Sequence, residues 1–272
     1  MRIYAALLYV FLYAPIALIV FFSFNAGRYA MDWQGFSVEW YGRAFSNPFA
    51  VQALLTSLQV AFWTAALSTV FGTLAALGLE RIGGWLRKLF DGLVYVAIMV
   101  PGVVIGIATL IAFVTVFDAV NPLLGSFLGE GGPKLQMGMA TVIGAHVLFN
   151  VSVLILIVRA RLAGIDRTLI EASEDLYASP IATFRQVTLP LLAPAMLAGF
   201  LLAFTFSFED FIIAFFVAGA NTTLPIYIFS SIRRGVTPEI NAIGTAVLVT
   251  SFSLLMIAQF LLRPRAPARP KA

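Results

Sequence analysis

The chain has 272 residues, of which 61% are hydrophobic and 11% charged, with a mean hydropathy of +0.96 and a formal net charge of +4. Soluble domains carry about 25% charged residues, so this composition excludes a water-soluble globular fold. The apolar stretches are long and continuous, which favours membrane-spanning helices over a β-barrel. The chain has no cysteine, which excludes disulfides and thiolate metal sites.

Six apolar segments are long enough to cross a bilayer, which requires about 20 residues in a helix. The first is longer than the roughly 7–15 residues of a signal-peptide core and has no convincing cleavage site, so it is expected to stay as a span. The predicted fold class is all-α, a polytopic membrane protein with about six transmembrane helices. Residues 1–262 would form one transmembrane domain, followed by a basic tail at 263–272. The predicted spans are Ile3–Phe24, Ala53–Leu79, Leu93–Phe117, Met137–Val158, Leu191–Val217 and Ala242–Leu262.

The distribution of positive charge predicts the orientation. Of the 17 Lys and Arg residues, 12 lie at one set of span ends and loops and 5 at the opposite set. The positive-inside rule therefore predicts that both termini and the long loop 159–190 are cytoplasmic. Because the basic residues flank apolar segments, they indicate topology and a membrane-lipid partner for the tail, and no nucleic acid.

The loop 159–190 contains two predicted short helices. Thr168 and Glu171 have the S/T-x-x-E spacing of a capping box, so Thr168 is expected to cap the first helix. Ser179-Pro180 has the pattern of an N-cap followed by proline at the first helical position, and Leu189-Pro190 is expected to end the second helix. The two helices would form a rigid docking surface. The alternative is that Glu171 only caps its helix and that the loop is a solvated connector.

The same loop resembles the EAA loop of permease subunits in ATP-binding cassette importers. Glu171-Ala172-Ser173 and the later Leu189-Pro190 carry the resemblance, although Ser173 stands where Ala is usual and Tyr177 where Gly is usual. It implies a type I importer permease fold and a non-catalytic subunit without cofactor or metal. The implied partners are ATPase subunits, a second homologous permease and an external solute-binding protein, in a bacterial inner membrane. The implied ATPase-coupling residues are Glu171, Ala172, Ser173, Tyr177, Leu189 and Pro190.

An acidic pair, Glu209 and Asp210, lies within the fifth predicted span. A charge near mid-membrane costs about 2.5–3.5 kcal/mol, so such residues normally face an interior or a cavity. On one continuous helix the pair would straddle the face opposite a lipid-facing aromatic stripe. The pair is therefore predicted to line the outer mouth of a substrate pathway for a cation. The stripe would contain Phe204, Phe208, Phe211 and Phe215.

Two alternatives for the acidic pair remain open: the residues are interfacial, or they pair with Arg233 and Arg234. The following segment, with Thr223-Leu-Pro225 and the run Gly235–Ala242, resembles the C-terminal region of spermidine/putrescine importer permeases. That resemblance implies a polyamine substrate. Another organic amine, an opine-like compound or a metal complex are the alternatives within the importer family.

The remaining intramembrane candidates are interpreted as structural residues. His146, the only histidine, is expected to have no carboxylate nearby and to hydrogen-bond a neighbouring helix. Gly102 and Gly106 predict close helix packing, and Pro101 predicts a kink. A self-sufficient secondary transporter is the rival class, but no paired, Gly/Pro-interrupted segments recur between the halves. An intramembrane enzyme would need clustered catalytic side chains, and none is apparent.

Overall fold

The computed structural model describes residues 2–29, 32–129 and 131–261. Within these ranges the chain is helical, and its only strand-like feature is an isolated bridge between Asn25 and Phe36. The helices are α1 (Arg2–Phe22), α2 (Glu39–Ser46), α3 (Pro48–Arg81), α4 (Gly84–Met99), α5 (Gly102–Leu128), α6 (Met139–Leu162), α7 (Thr168–Asp175), α8 (Pro180–Thr183), α9 (Leu189–Glu209), α10 (Ile212–Val217), α11 (Leu224–Ile232) and α12 (Pro238–Leu261).

Five helical segments of the described chain are long and apolar enough to cross a membrane. They correspond to the first, second, third, fourth and fifth predicted spans, and α12 occupies the sixth. The predicted tail at 263–272 lies outside the described residues. The five segments are Ile3–Phe22, Pro48–Arg81, Gly102–Leu128, Met139–Leu162 and Pro180–Glu209.

The third predicted span, Leu93–Phe117, is two helices and not one. Helix α4 ends at Met99 and α5 begins at Gly102. Pro101 has no N–H and disfavours helical geometry in the residue before it, and Val100 accordingly has an extended ψ of 129°. The expected kink is therefore a complete break.

The chain divides into two compact units, Met1–Ser57 with Asn221–Leu255, and Leu58–Ala220 with Met256–Ala272. In the second unit, α6 packs against α9, α4, α10 and α5. Its centre is the fully buried Leu154, which lies against glycines of two other helices. A Cβ atom at Gly72 would lie 2.5 Å from Leu154 Cβ, and one at Gly199 would overlap Leu154 Cδ1. These glycines let α3 and α9 approach α6 closely.

Close approach also joins α5 to α10 within this unit. A Cβ atom at Gly106 would lie 2.6 Å from Phe216 Cδ2, so only glycine fits there. The predicted packing role is confirmed for Gly106. At Gly102 the added Cβ would make only ordinary contacts, at 3.9–4.0 Å, with Ile212 and Ile213.

An ionic cluster ties three helices of the same unit together near the end of α3. Arg159 on α6 bonds Asp91 of α4 through Nη1, and its Nε lies 3.8 Å from Glu80 Oε1 of α3. Arg159 is 19% exposed, so this pair is screened less than a surface salt bridge.

The first unit is organised by a buried asparagine after α1. Asn25 is fully buried, and its amide nitrogen donates to the carbonyls of Tyr29 and Asp32. Its Oδ1 accepts from the backbone N–H groups of Gly27 and Gln34. One side chain therefore holds the turn between α1 and α2, because all four of its hydrogen-bonding positions are used.

Candidate functional site

Helix α9 ends at Glu209, and the predicted continuous fifth span is wrong at this point. Asp210 has φ −69° and ψ 120°, and its Oδ1 accepts from the backbone N–H groups of Ile213 at 2.8 Å and Ala214 at 3.1 Å. Asp210 thus caps the short helix α10, as aspartate commonly does at a helix start. The chain turns at Asp210 because the side chain satisfies N–H groups that a continuous helix would bond within itself.

The break removes the aromatic stripe expected on a continuous helix. Phe208 is only 7% exposed, and Phe204 packs against the buried cluster of Ala65, Leu154 and Ala203, so these rings do not form a lipid-facing surface. Phe215 is exposed but belongs to α10, on the other side of the break. The helical-wheel prediction failed because it assumed one axis.

Asp210 lines a cavity of about 240 Å³ where the two broken helices meet. Its Oδ1 lies 3.3 Å from Nε2 of His146, which is 2% exposed. His146 Nδ1 lies 2.7 Å from the Ser207 hydroxyl of α9, so the predicted hydrogen bond to a neighbouring helix is confirmed. The expectation that no carboxylate is near His146 is wrong, because the turn at Asp210 brings that side chain to α6.

Asn150 completes the polar wall of the cavity, and the sequence interpretation missed it. It lies one turn after His146 on α6 and donates through Nδ2 to the His146 carbonyl at 2.9 Å. The spacing of four residues, which puts two polar side chains on one helix face, was an available signal. The other lining residues are mainly apolar: Ile98, Val100, Gly102, Ile105, Phe149, Phe206 and Ile213.

The structure separates the two predicted acids. Glu209 is exposed, and its side chain makes no hydrogen bond or ion pair with the described residues. Asp210 is half-buried, with 24% of its side chain exposed, and faces the cavity. Of the two, Asp210 therefore has the environment expected of a residue on a substrate pathway.

In the loop before α9, helix α7 is capped by a residue that the sequence interpretation did not select. Asp166 Oδ1 accepts from the Thr168 backbone N–H at 3.0 Å, so Thr168 is not the cap. Hydrogen bonds from the Thr168 backbone and side chain hold the pKa of Asp166 below its ordinary value of 3.8. Glu171 is exposed and does not reach back to cap the helix.

Helix α7 ends in a left-handed turn at Tyr177. The Tyr177 N–H donates to Glu174 O at 2.8 Å and the Ala178 N–H to Ser173 O at 3.1 Å, which is the Schellman arrangement. Tyr177 has φ 59°, the only positive φ among the described non-glycine residues. Glycine is favoured at this position because a side chain costs about 1 kcal/mol or more there. The departure from the usual Gly noted in the sequence therefore stores local strain.

The two short helices are joined and present an apolar tip. Ser173 and Thr183 share a hydrogen bond of 2.9 Å between α7 and α8, so the Ser in place of the usual Ala connects the helices. The tip formed by Leu176, Tyr177 and Ile181 is 81%, 98% and 78% exposed. Ser179 accepts from the Ala182 N–H, which confirms the predicted N-cap before Pro180.

The second short helix does not end at Leu189-Pro190, and that prediction is wrong. Residues 184–188 form a π-helical turn that runs into α9, so Pro180–Glu209 is one helical segment. Leu189 N donates to Phe184 O across this turn. Pro190 has no N–H and its ring crowds the preceding turn, which explains the local widening.

The chain matches known proteins over most of its length. Residues 68–266 match the family described as "Binding-protein-dependent transport system inner membrane component". The chain is 35% identical to the spermidine/putrescine transport system permease protein PotC of Haemophilus influenzae, over 94% of this chain and 93% of the relative. It is 37% identical to the putrescine transport system permease protein PotI of Escherichia coli K12, over 88% of this chain and 82% of the relative.

Solved structures give the same fold at low sequence identity. A bacterial ABC transporter involved in the import of the acidic polysaccharide alginate has a chain that matches with a TM-score of 0.72 and 17% identity, covering 96% of this chain and 95% of the other. The MetNI methionine ABC transporter, in an inward-facing conformation, matches with a TM-score of 0.60 and 16% identity, over 79% and 95%. The fold is that of a type I importer permease, and the chain belongs to the family of binding-protein-dependent transport system inner membrane components.

Proposed function

We propose that this permease subunit moves a small organic cation, most specifically a polyamine such as putrescine or spermidine, across the bacterial inner membrane. The observation that carries the proposal is the position of Asp210. The helix break directs this acidic side chain toward a cavity lined mainly by apolar residues. A carboxylate in such surroundings favours a positively charged ligand, because an uncompensated charge at membrane depth is costly. The relatives that carry polyamine names support the choice of substrate.

The proposed partners follow from the family and from the shape of the loop segment. An external binding protein would deliver the substrate, a second permease would complete the pathway, and ATPase subunits would hydrolyse ATP. One solved structure with a similar fold is a bacterial alginate ABC transporter in complex with a pentasaccharide-bound periplasmic protein, which supports the first of these partners. Both termini and the loop 159–190 would be cytoplasmic, as the positive charge predicts.

The ATPase would bind the exposed tip at Leu176, Tyr177 and Ile181. Large apolar side chains exposed together mark a protein interface, and the Ser173–Thr183 bond holds α7 and α8 as one body. The other residues assigned to coupling are Glu171, Ala172, Leu189 and Pro190. Glu171 and Ala172 are exposed on α7, where a partner can contact them, while Leu189 and Pro190 join the loop to α9.

The first experiment measures ATP hydrolysis by the co-expressed complex in lipid discs, with its binding protein, across a panel of polyamines. Stimulation by putrescine or spermidine is expected. A silent panel from an assembled complex would contradict the polyamine proposal and direct attention to other amines, opine-like compounds and metal complexes. Uptake by the chain reconstituted alone would instead favour a secondary transporter.

Two neighbouring variants test the roles of the acids. Asp210→Asn is expected to reduce uptake strongly while the complex still assembles, because Asn retains an oxygen that can cap α10. Glu209→Gln is the matched control and is expected to have the smaller effect, since Glu209 is exposed and lies outside the cavity lining. Equal loss of uptake and assembly in both variants would favour the structural alternatives, including pairing with Arg233 or Arg234.

A further inference from the structure

Three polar groups around the cavity at the α9–α10 break have acceptor atoms that the described chain does not use. His146 Nε2 and Asn150 Oδ1 are buried and have no hydrogen-bond partner among the described residues. Asp210 uses Oδ1 to cap α10, and no described residue donates a hydrogen bond to its Oδ2. A buried polar atom without a partner costs about 1–3 kcal/mol, so these two buried atoms beside the half-buried Asp210 carboxylate indicate that a ligand supplies the missing donors.

The orientation of each group is fixed by its other contacts. Asn150 Nδ2 donates to the His146 carbonyl at 2.9 Å, which leaves Oδ1 as the unpaired end of the amide. The His146 ring is held by Ser207 Oγ at 2.7 Å from Nδ1. Binding of a donor at Nε2 requires the tautomer that carries its proton on Nδ1: that proton is donated to Ser207, and Nε2, which lies 3.3 Å from Asp210 Oδ1 without a hydrogen bond to it, presents a lone pair.

The three acceptors match one chemical group. A primary ammonium has three N–H donors and no acceptor, so an imidazole nitrogen, an amide oxygen and a carboxylate oxygen can satisfy it completely. The cavity of about 240 Å³ suits one aminoalkyl end of a molecule more than a whole long chain. Helices α4 and α9 end here, at Met99 and Glu209, and helices α5 and α10 begin here, at Gly102 and Ile212. Because the partial charges at helix ends and helix starts have opposite signs, they oppose one another, and the Asp210 carboxylate determines the sign of the charge at the site.

We infer that this cavity binds one primary ammonium end of the transported molecule, with His146 Nε2 and Asn150 Oδ1 sharing its N–H groups with Asp210. The inference rests on the proposed function as an importer of organic cations. It adds two neutral residues of α6 as determinants of specificity. It also predicts discrimination between a primary and a quaternary ammonium, because the latter has no N–H to donate.

The first arm of the test measures uptake at saturating, substrate-loaded binding protein, so that the affinity of that protein cancels between variants. His146→Leu and Asn150→Leu each remove an acceptor and are expected to lower putrescine uptake about tenfold, which corresponds to the loss of one hydrogen bond to a charged group. His146→Gln keeps an acceptor and is expected to restore most of the uptake. Thr64→Val is the matched control, because it removes another fully buried, unpartnered polar atom that lies outside the cavity lining.

The second arm observes the imidazole directly. His146 is the single histidine of this chain, so the nitrogen resonances that disappear in the His146→Gln complex identify its ring. With ¹⁵N-labelled histidine in lipid discs, methylammonium is expected to shift the Nε2 resonance, and tetramethylammonium at the same concentration is not.

The outcomes separate the site from the substrate. The site is supported if both leucine variants lose uptake while His146→Gln and Thr64→Val retain it, and if methylammonium shifts the Nε2 resonance. Normal uptake in the leucine variants overturns it and leaves the importer function intact. If the wild-type complex takes up no polyamine, the proposed substrate is wrong. The methylammonium shift then decides alone: its presence supports a primary ammonium site for another amine, and its absence overturns the inference.

Discussion

The contact between Leu154 and Gly199 predicts that two destabilising substitutions will compensate each other. Leu154 is fully buried between glycines of α3 and α9, and an added methyl group at Gly199 would overlap its Cδ1 atom. Gly199→Ala is therefore expected to destabilise the second unit by about 1–3 kcal/mol through overpacking. Leu154→Ala leaves a void of about 80 Å³, which costs roughly 2 kcal/mol by the cavity term alone.

In the double variant, Leu154→Ala with Gly199→Ala, the new methyl group enters the void left by the leucine. Alanine also has a higher helix propensity than glycine by about 1 kcal/mol. Gly199→Ala is thus expected to be neutral or stabilising in that background, which gives a coupling energy of about 1–4 kcal/mol of the opposite sign to the single costs. The membrane environment leaves this sign unchanged, because packing and not water exclusion drives helix association there.

Thermal unfolding of the complex in lipid discs, followed by intrinsic fluorescence, measures all four variants of this cycle. Gly78→Ala is the matched control, since a Cβ atom at Gly78 of α3 would meet nothing within 4 Å. It is expected to be neutral or slightly stabilising. If the two single costs simply add in the double variant, Gly199 is not in close contact with Leu154.

Three further predictions concern the loops. Tyr177→Gly should stabilise the end of α7 by about 1 kcal/mol, because glycine adopts φ 59° without strain, and slower hydrogen exchange at Ala178 would report it; unchanged exchange would contradict the strain. Asn25→Leu should expose the turn between α1 and α2 to limited proteolysis, because four hydrogen bonds are lost, whereas Asn121→Leu, at a half-exposed site with two hydrogen bonds, should leave that turn protected. The lowered pKa of Asp166 means that its capping of α7 is fully present above its ordinary pKa of 3.8 and is lost as pH falls through the lower folded value. Exchange protection in α7 should therefore decrease in acid in the wild type, and Asp166→Asn should flatten that dependence; an identical pH profile in both proteins would refute it.

Local sequence patterns were sufficient to predict the spans and much of the structure of the loop segment. Long apolar runs located the membrane-crossing helices, and Ser179-Pro180 located a helix start, because these signals depend on neighbours in the chain. The unusual Tyr177 also marked a true structural position, the left-handed residue after α7. The capping of α7 was assigned two residues too late, since Asp166 and Thr168 are both acceptable caps and periodicity does not choose between them.

The candidate site depended on interactions that periodicity does not contain. Pro101 indicated an irregularity, which was interpreted as a kink and is a complete break between α4 and α5. Helix α9, in contrast, ends before Asp210 without any nearby proline or glycine. The contact between His146 and Asp210 joins residues 64 positions apart and exists only because the chain turns at Asp210. A polar residue with strong capping preference inside an apolar run was the available signal, and it was interpreted as a charge on one helix face.

The π-helical turn at residues 184–188 has a mechanical consequence. Because the helix is not interrupted between Pro180 and Glu209, its 30 residues form a lever about 45 Å long, with the exposed tip near one end and Asp210 immediately beyond the other. A displacement of the tip would tilt the far end without any intervening hinge loop. The π turn and Pro194 both alter the regular helical hydrogen bonding along this segment, so in the proposed coupling they would limit how much of a displacement of the tip reaches the cavity.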